Sequence, residues 1–110
     1  MTKKFQLNLL HEAKAGNIVC REYEIVDSIY RFDVKFDGDR TELMSVYKNI
    51  NDKYTPEIYF KSMTFDGHVN EFKIQTTAFG ALMPSEIQFV IDGYNHALAV
   101  VEFLKNEFVK

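Results

Sequence analysis

Ile29-Tyr30-Arg31-Phe32-Asp33-Val34-Lys35-Phe36 sets Tyr30, Phe32, Val34 and Phe36 against Arg31, Asp33 and Lys35. A period of two puts four large apolar side chains on one face of an extended chain, the signature of a half-buried strand. The preceding run, residues 18–26, carries Tyr23 and Ile25 on one side and reads as its antiparallel mate across Asp27-Ser28. A second hairpin is expected from residues 57–65 and 69–77, where Phe72, Ile74 and Thr76 alternate with Glu71, Lys73 and Gln75. Its joint, Asp66-Gly67-His68, contains the Asp-Gly step that suits a tight turn with positive φ.

Between the hairpins the pattern is double-valued. Leu43, Val46, Tyr47, Ile50 and Tyr54 fit a helical stripe, with Asp39 and Glu42 as a capping box. Read as a strand over residues 42–49, the same stretch sets Met44 and Val46 on one face and continues the meander through Asn51-Asp52-Lys53. The strand reading is preferred because it gives the C-terminal helix one five-stranded sheet to rest on. Upstream, Phe5, Leu9 and Ala13 recur every four residues and Gly16-Asn17 supplies a stop, so a short helix is expected over residues 2–15. The rival is a strand through Phe5, Leu7 and Leu9.

The last quarter reads as a long helix. Ser85 is the expected N-cap with Gln88 three positions on, and Glu86 suits the positive dipole end. Ile87, Val90, Tyr94, Ala97, Val101, Leu104 and Phe108 form a stripe expected to face the sheet, widened by Ile91 and Leu98. Phe89, Gly93, Val100 and Phe103 form a second apolar band, and Gln88, Asp92, Asn95, Glu102 and Asn106 are left as the wet side. An ordinary surface helix needs only one such arc. Either the N-terminal segment covers the second band, or that band is where another copy of the chain or a foreign protein docks. Phe89, Gly93, Val100 and Phe103 are therefore candidates for self-association. A glycine at mid-helix also implies a close backbone contact. The expectation is one α+β domain over residues 1–110: an antiparallel β-meander of about five strands, a short N-terminal helix, and a long C-terminal helix packed on one face.

Composition limits the partners. The 110 residues are 46% hydrophobic and 26% charged, which is globular rather than disordered composition. Thirteen basic against sixteen acidic residues give a formal net charge of -3, and no basic cluster is present, so direct nucleic-acid binding is not expected. The apolar runs are a few residues long, far short of the ~20 that span a bilayer, so no membrane partner is expected. Lys3 and Lys4 are followed by Gln6, Asn8, His11 and Glu12 rather than an apolar signal core, and the single Cys20 excludes an intrachain disulfide. A cytoplasmic location is the expectation, with Cys20 read as a small buried hydrophobe.

Chemistry is sparse. His11, His68 and His96 fall in three different elements without metal-ligand spacing. Asp37-Gly38-Asp39 with Glu42 lacks the spacing of a calcium loop. Ser28, Ser45, Ser62 and Ser85 have no nucleophile-elbow surroundings. No catalytic residue, cofactor or metal is expected. The surface candidates are the loop 76–84, where Gly80 precedes the helix start, and the aromatic set Tyr47, Tyr54, Tyr59 and Phe60, residue types enriched at protein interfaces.

Phe72-Lys73-Ile74-Gln75-Thr76-Thr77-Ala78-Phe79-Gly80-Ala81-Leu82, followed by Pro84-Ser85-Glu86-Ile87 and an Ala- and Val-rich helix, resembles small uncharacterised proteins of bacteriophages and prophages of Gram-positive bacteria. The resemblance covers about the last forty residues and transfers no functional residue. It implies a small accessory phage protein in the host cytoplasm, in a class whose members bind and redirect host proteins, inhibitors of bacterial defence systems among them. The expected function is thus non-catalytic binding of a protein partner, such as a host defence or nucleic-acid-handling protein. Asp37, Asp39 and Glu42 would steer a basic partner, and Tyr47, Tyr54 and Tyr59 would contact it. The alternative is a small-ligand or enzymatic domain with a cleft between the C-terminal helix and the loop 76–84.

Overall fold

A computed structural model describes residues 4–63 and 69–109. The elements run β1 (Leu7–Ala15), β2 (Ile18–Ile25), β3 (Tyr30–Asp37), β4 (Arg40–Lys48), β5 (Ile58–Met63), β6 (Val69–Ile74) and α1 (Pro84–Phe108). The fold is α+β. β1 to β4 form one antiparallel sheet in sequence order, and β5 and β6 form a separate two-stranded one. The expected single sheet of five is thus six described strands in two sheets, and the Asp66-Gly67-His68 joint lies outside the described residues.

The helix expected over residues 2–15 is not formed by the described residues 4–15. From Leu7 the chain is a strand, paired with β2 from Leu7↔Ile25 to Ala15↔Ile18. Gly16, with φ at 61°, is the hairpin turn rather than a helix stop. Leu9 opposes Tyr23 and His11 opposes Glu22, so Leu10 is an extra residue, a bulge that breaks the two-residue alternation. A second bulge falls in β4, where Asp33↔Ser45 is followed by Val34↔Leu43 and Met44 is the surplus. Leu43 and Val46 consequently both point into the core. Met44, expected on the face of Val46, is 47% exposed.

One sheet face carries Ile25, Tyr30, Phe32, Val34, Leu43 and Val46, all buried. The other is a polar lattice: Lys35 pairs with Glu42 at 3.4 Å, Ser45 Oγ donates to Asp33 at 2.7 Å, and the Tyr47 hydroxyl donates to Glu22. Cys20 lies on this uncovered face and is exposed, not buried as expected. α1 closes the apolar face with Gly93, Ala97, Val100, Phe103 and Leu104. The connection 49–57 is tied beneath it: Lys48 Nζ donates to the carbonyls of Asp52 at 2.6 Å and Thr55 at 2.7 Å, and the buried Tyr30 hydroxyl donates to the Pro56 carbonyl. The radius of gyration is 15.5 Å, against about 13 Å for a chain of this length packed to the usual density.

Candidate protein-binding surface

The rotation of α1 about its own axis decides which surface is offered. The helix starts at Pro84 with Met83, not Ser85, at the cap position, and Glu86 turns back to accept the Met83 N–H at 3.2 Å. Proline fits the first turn because its missing donor would be unpaired there anyway. The inward face takes Ala97 and Leu104 from the expected stripe, but Gly93, Val100 and Phe103 from the band expected to be free. The helix is therefore turned by roughly 80° from the expected orientation, at 100° per residue. Three of the four self-association candidates, Gly93, Val100 and Phe103, are spent on the chain's own core. Phe5 packs on Phe103 with ring centres 5.4 Å apart, so the N-terminal segment does cover that band, although not as a helix. The fourth candidate, Phe89, is 57% exposed and lies 5.5 Å from the Tyr54 ring.

Outward, the helix presents residues from the stripe expected to be buried. Ile87, Ile91 and Leu98 are 45%, 47% and 57% exposed. They fall within about 40° of one another around the axis, with half-buried Tyr94 and Val101 along one flank. Three large aliphatic groups in register are more than the scattered apolar residues of an ordinary surface.

The partner-binding candidates do not form one patch. Asp37 and Asp39 are exposed at the β3–β4 turn, where Gly38 takes φ of 59°, while Glu42 is half-buried against Lys35. Tyr47 lies five residues farther along β4, roughly 17 Å away at the strand rise, and is already engaged by Glu22. Tyr54 packs beside the first turns of α1. Its hydroxyl donates to Glu86 at 2.5 Å, which holds the Glu86 carboxyl below, and the Tyr54 phenol above, their ordinary values. Tyr59, on β5, is 55% exposed and donates to Gln75 at 2.8 Å.

The loop 76–84 leads from β6 into α1. Phe79 and Leu82 are half-buried, Gly80 has φ of 69°, and the Thr77 N–H donates to the Tyr94 hydroxyl at 3.1 Å. A cavity of about 410 Å³ lies elsewhere, between the β2–β3 turn, residues 52–55 and α1, with Ser28, Tyr54, Phe89, Gly93 and His96 among its walls. Ser28 Oγ and His96 Nε2 are 2.7 Å apart there, and Ser28 Oγ also accepts the Tyr30 N–H at 3.2 Å. The His96 ring stacks on Tyr30 at 5.8 Å and meets Phe5 edge-on. This tie between turn and helix spans 68 positions, so no local motif announces it. Among the described residues, no group of three His, Cys, Asp or Glu is placed to hold a metal ion, and no helix is long and apolar enough to cross a membrane.

Neither a family model, nor a curated protein, nor a solved structure matches the chain.

Proposed function

We propose that the chain is a non-catalytic accessory protein that works by binding another protein. Its resemblance to small phage proteins gives that reading a concrete form, a modulator or inhibitor of a host defence or nucleic-acid-handling protein acting in the host cytoplasm. The observation that carries it is the apolar strip of Ile87, Ile91 and Leu98 on the side of α1 turned away from the core. Half-exposed aliphatic groups each leave about 1 kcal/mol of transfer free energy unrealised in the free chain. The whole surface agrees: 7601 Å² is accessible, against roughly 6,300 Å² for a monomer of 12.9 kDa. The exposed Asp37 and Asp39 add electrostatic steering of a basic partner at the β3–β4 turn.

Affinity capture from host lysate tests this, comparing wild type with an Ile91→Glu/Leu98→Glu variant whose circular dichroism is unchanged. A protein identified by mass spectrometry, retained by wild type and lost by the variant, is the expected result. Identical protein sets on both columns would sink the reading. A small-ligand site is the second reading, supported by the 410 Å³ cavity beside Ser28 and His96 rather than by the loop 76–84. Ligand-induced shifts of the Ser28 and Gly93 amide resonances in a fragment screen would favour it.

A further inference from the structure

Resting on the reading of the cavity beside Ser28 and His96 as a ligand site, we infer that the group it takes is a guanidinium. At about 410 Å³ the cavity falls within the ~300–1,000 Å³ of ordinary ligand sites. Its walls are of two kinds. Tyr54 and Phe89 contribute aromatic rings, with centres 5.5 Å apart and planes inclined by 31°. Carboxylates come from three separate segments: Asp27 from the β2–β3 turn, Asp52 from the connection 49–57, and Asp92 from α1. No lysine or arginine is among the described walls.

The three carboxylates are not equally available. Asp52 is committed to the Tyr54 N–H and the Thr55 hydroxyl, and the Lys48 ammonium on the carbonyls of Asp52 and Thr55 offsets its charge. Asp27 and Asp92 are exposed, and neither is ion-paired with a described residue; Asp92 accepts from Gln88 at 2.8 Å, a neutral donor. Lys53 stands 4.9 Å from the Tyr54 ring centre but is drawn toward Glu86, at 3.4 Å, and is not among the walls. Ser28 Oγ and His96 Nε2 satisfy one another at 2.7 Å. What the cavity leaves uncompensated is therefore negative charge beside aromatic rings.

Such a lining selects a flat, delocalised cation. A guanidinium stacks on aromatic faces, holds its N–H donors in one plane toward carboxylates, and is more weakly hydrated than an ammonium, so a part-apolar cavity costs it less to enter. An anion would meet two uncompensated carboxylates, and a neutral ligand would leave them unpaired. An arginine side chain of the protein partner and a free guanidinium compound share this chemistry. Phe89, Asp92 and His96 lie about 150° around α1 from Ile87, Ile91 and Leu98, so a filled cavity leaves the outward strip free.

Titration of isotope-labelled protein with N-acetyl-arginine methylamide into the millimolar range, followed at the Ser28 and Gly93 amide resonances, tests this. The capped citrulline analogue, a neutral urea of the same shape, is the comparison. Saturable shifts are expected with arginine and none with citrulline at equal concentration. Phe89→Leu keeps the bulk and removes the ring, and should weaken arginine binding by about threefold or more. Asp27→Asn/Asp92→Asn, with circular dichroism unchanged, should weaken it by roughly threefold or more; asparagine also suits the positive φ of 64° at position 27. Equal shifts with citrulline, or arginine binding indifferent to the double variant, would overturn the guanidinium while leaving the cavity a ligand site. No shift with arginine, citrulline or any fragment would remove both readings. Lysate capture separates the sources: a host protein lost by Asp27→Asn/Asp92→Asn and displaced by capped arginine marks a partner's arginine, whereas capture unchanged by either marks a free compound.

Discussion

Gly93→Ala should destabilise this protein, although glycine in mid-helix is normally improved by alanine. In an open helix the change gains about 0.5–1 kcal/mol from reduced backbone entropy and better propensity. Here a Cβ at position 93 would stand 2.5 Å from the Tyr54 carbonyl oxygen and 3.1 Å from the Cα of Thr55. Both obstacles are backbone, so relief requires the 52–55 segment to move by almost 1 Å. That segment is held by Lys48 Nζ on the carbonyls of Asp52 and Thr55, and by the Asp52 carboxylate, which accepts from the Tyr54 N–H at 3.0 Å and the Thr55 hydroxyl at 2.6 Å. Overpacking against a fixed wall costs about 1–3 kcal/mol. The net expectation is a loss of about 1 kcal/mol, or roughly 4 °C in Tm for a domain of this size. Urea denaturation followed by circular dichroism measures it, with the exposed Asn95→Ala on the same helix as control, expected to gain a few tenths of a kcal/mol. Should Gly93→Ala gain stability as the control does, the close approach of α1 to residues 54 and 55 would be refuted.

Tyr30→Phe removes the buried donor to the Pro56 carbonyl and should cost about 1–3 kcal/mol in urea denaturation, the range for stranding a buried acceptor. Burial, reinforced by the charges of Glu57 and Asp52, holds the Tyr30 phenol well above its ordinary value. The folded state therefore keeps its proton longer than the unfolded one, so stability is undiminished below pH about 10 and declines as pH rises beyond it; Tyr30→Phe should flatten that alkaline decline. Glu86, held low first by the Tyr54 hydroxyl, has the opposite sign: its contribution is present above pH 4.5 and fades as pH falls below, so Glu86→Gln should flatten the acid limb of denaturant midpoint against pH. Cys20 should react with a thiol reagent in native buffer to one equivalent by mass spectrometry; labelling only in denaturant would contradict its exposed placement.

What the sequence reveals follows from where the two-residue period survives. β3 lies between β2 and β4 with a single buried face and no surplus residue within it, so its alternation is plain. β2 is legible for the same reason. β1, expected as a helix, and β4, expected as a strand with helix as the rival, each carry a bulge. Leu10 shifts the phase of β1 so that Leu7 and Leu9 share a face with Glu12 and Lys14, leaving Phe5, Leu9 and Ala13 at helical spacing. Met44 does the same in β4, setting Leu43 and Val46 three apart and both inward. One inserted residue turns a period of two into a local step of three, and three is the step of a helix. The Ser28–His96 tie and the cavity beside it were hidden for another reason: tertiary packing alone brings position 28 against position 96.

The rotation of α1 has a steric origin that also explains its outward strip. Hydrophobicity alone favours burying Ile87, Ile91 and Leu98, since each offers more apolar area than Gly93 or Ala97. The wall the helix meets at its N-terminal half is not a pliable sheet of side chains but the backbone of residues 54 and 55, fixed by Lys48 and Asp52. Only the side of α1 bearing Gly93, followed one turn later by Ala97, can approach so closely, and Val100 and Leu104 continue that line over the sheet. Larger groups at this seam would hold the helix off and open voids above Tyr30 and Ile58, both buried to 1% or less. Close packing along the whole helix therefore outweighs the area lost by leaving three aliphatic residues outside, and the strip on which the proposed function rests follows from how the core is closed. The same reasoning constrains Gly93 variants: a side chain large enough to turn the helix should expose Val100 and draw Ile91 inward, so loss of the native core and loss of outward binding should appear together.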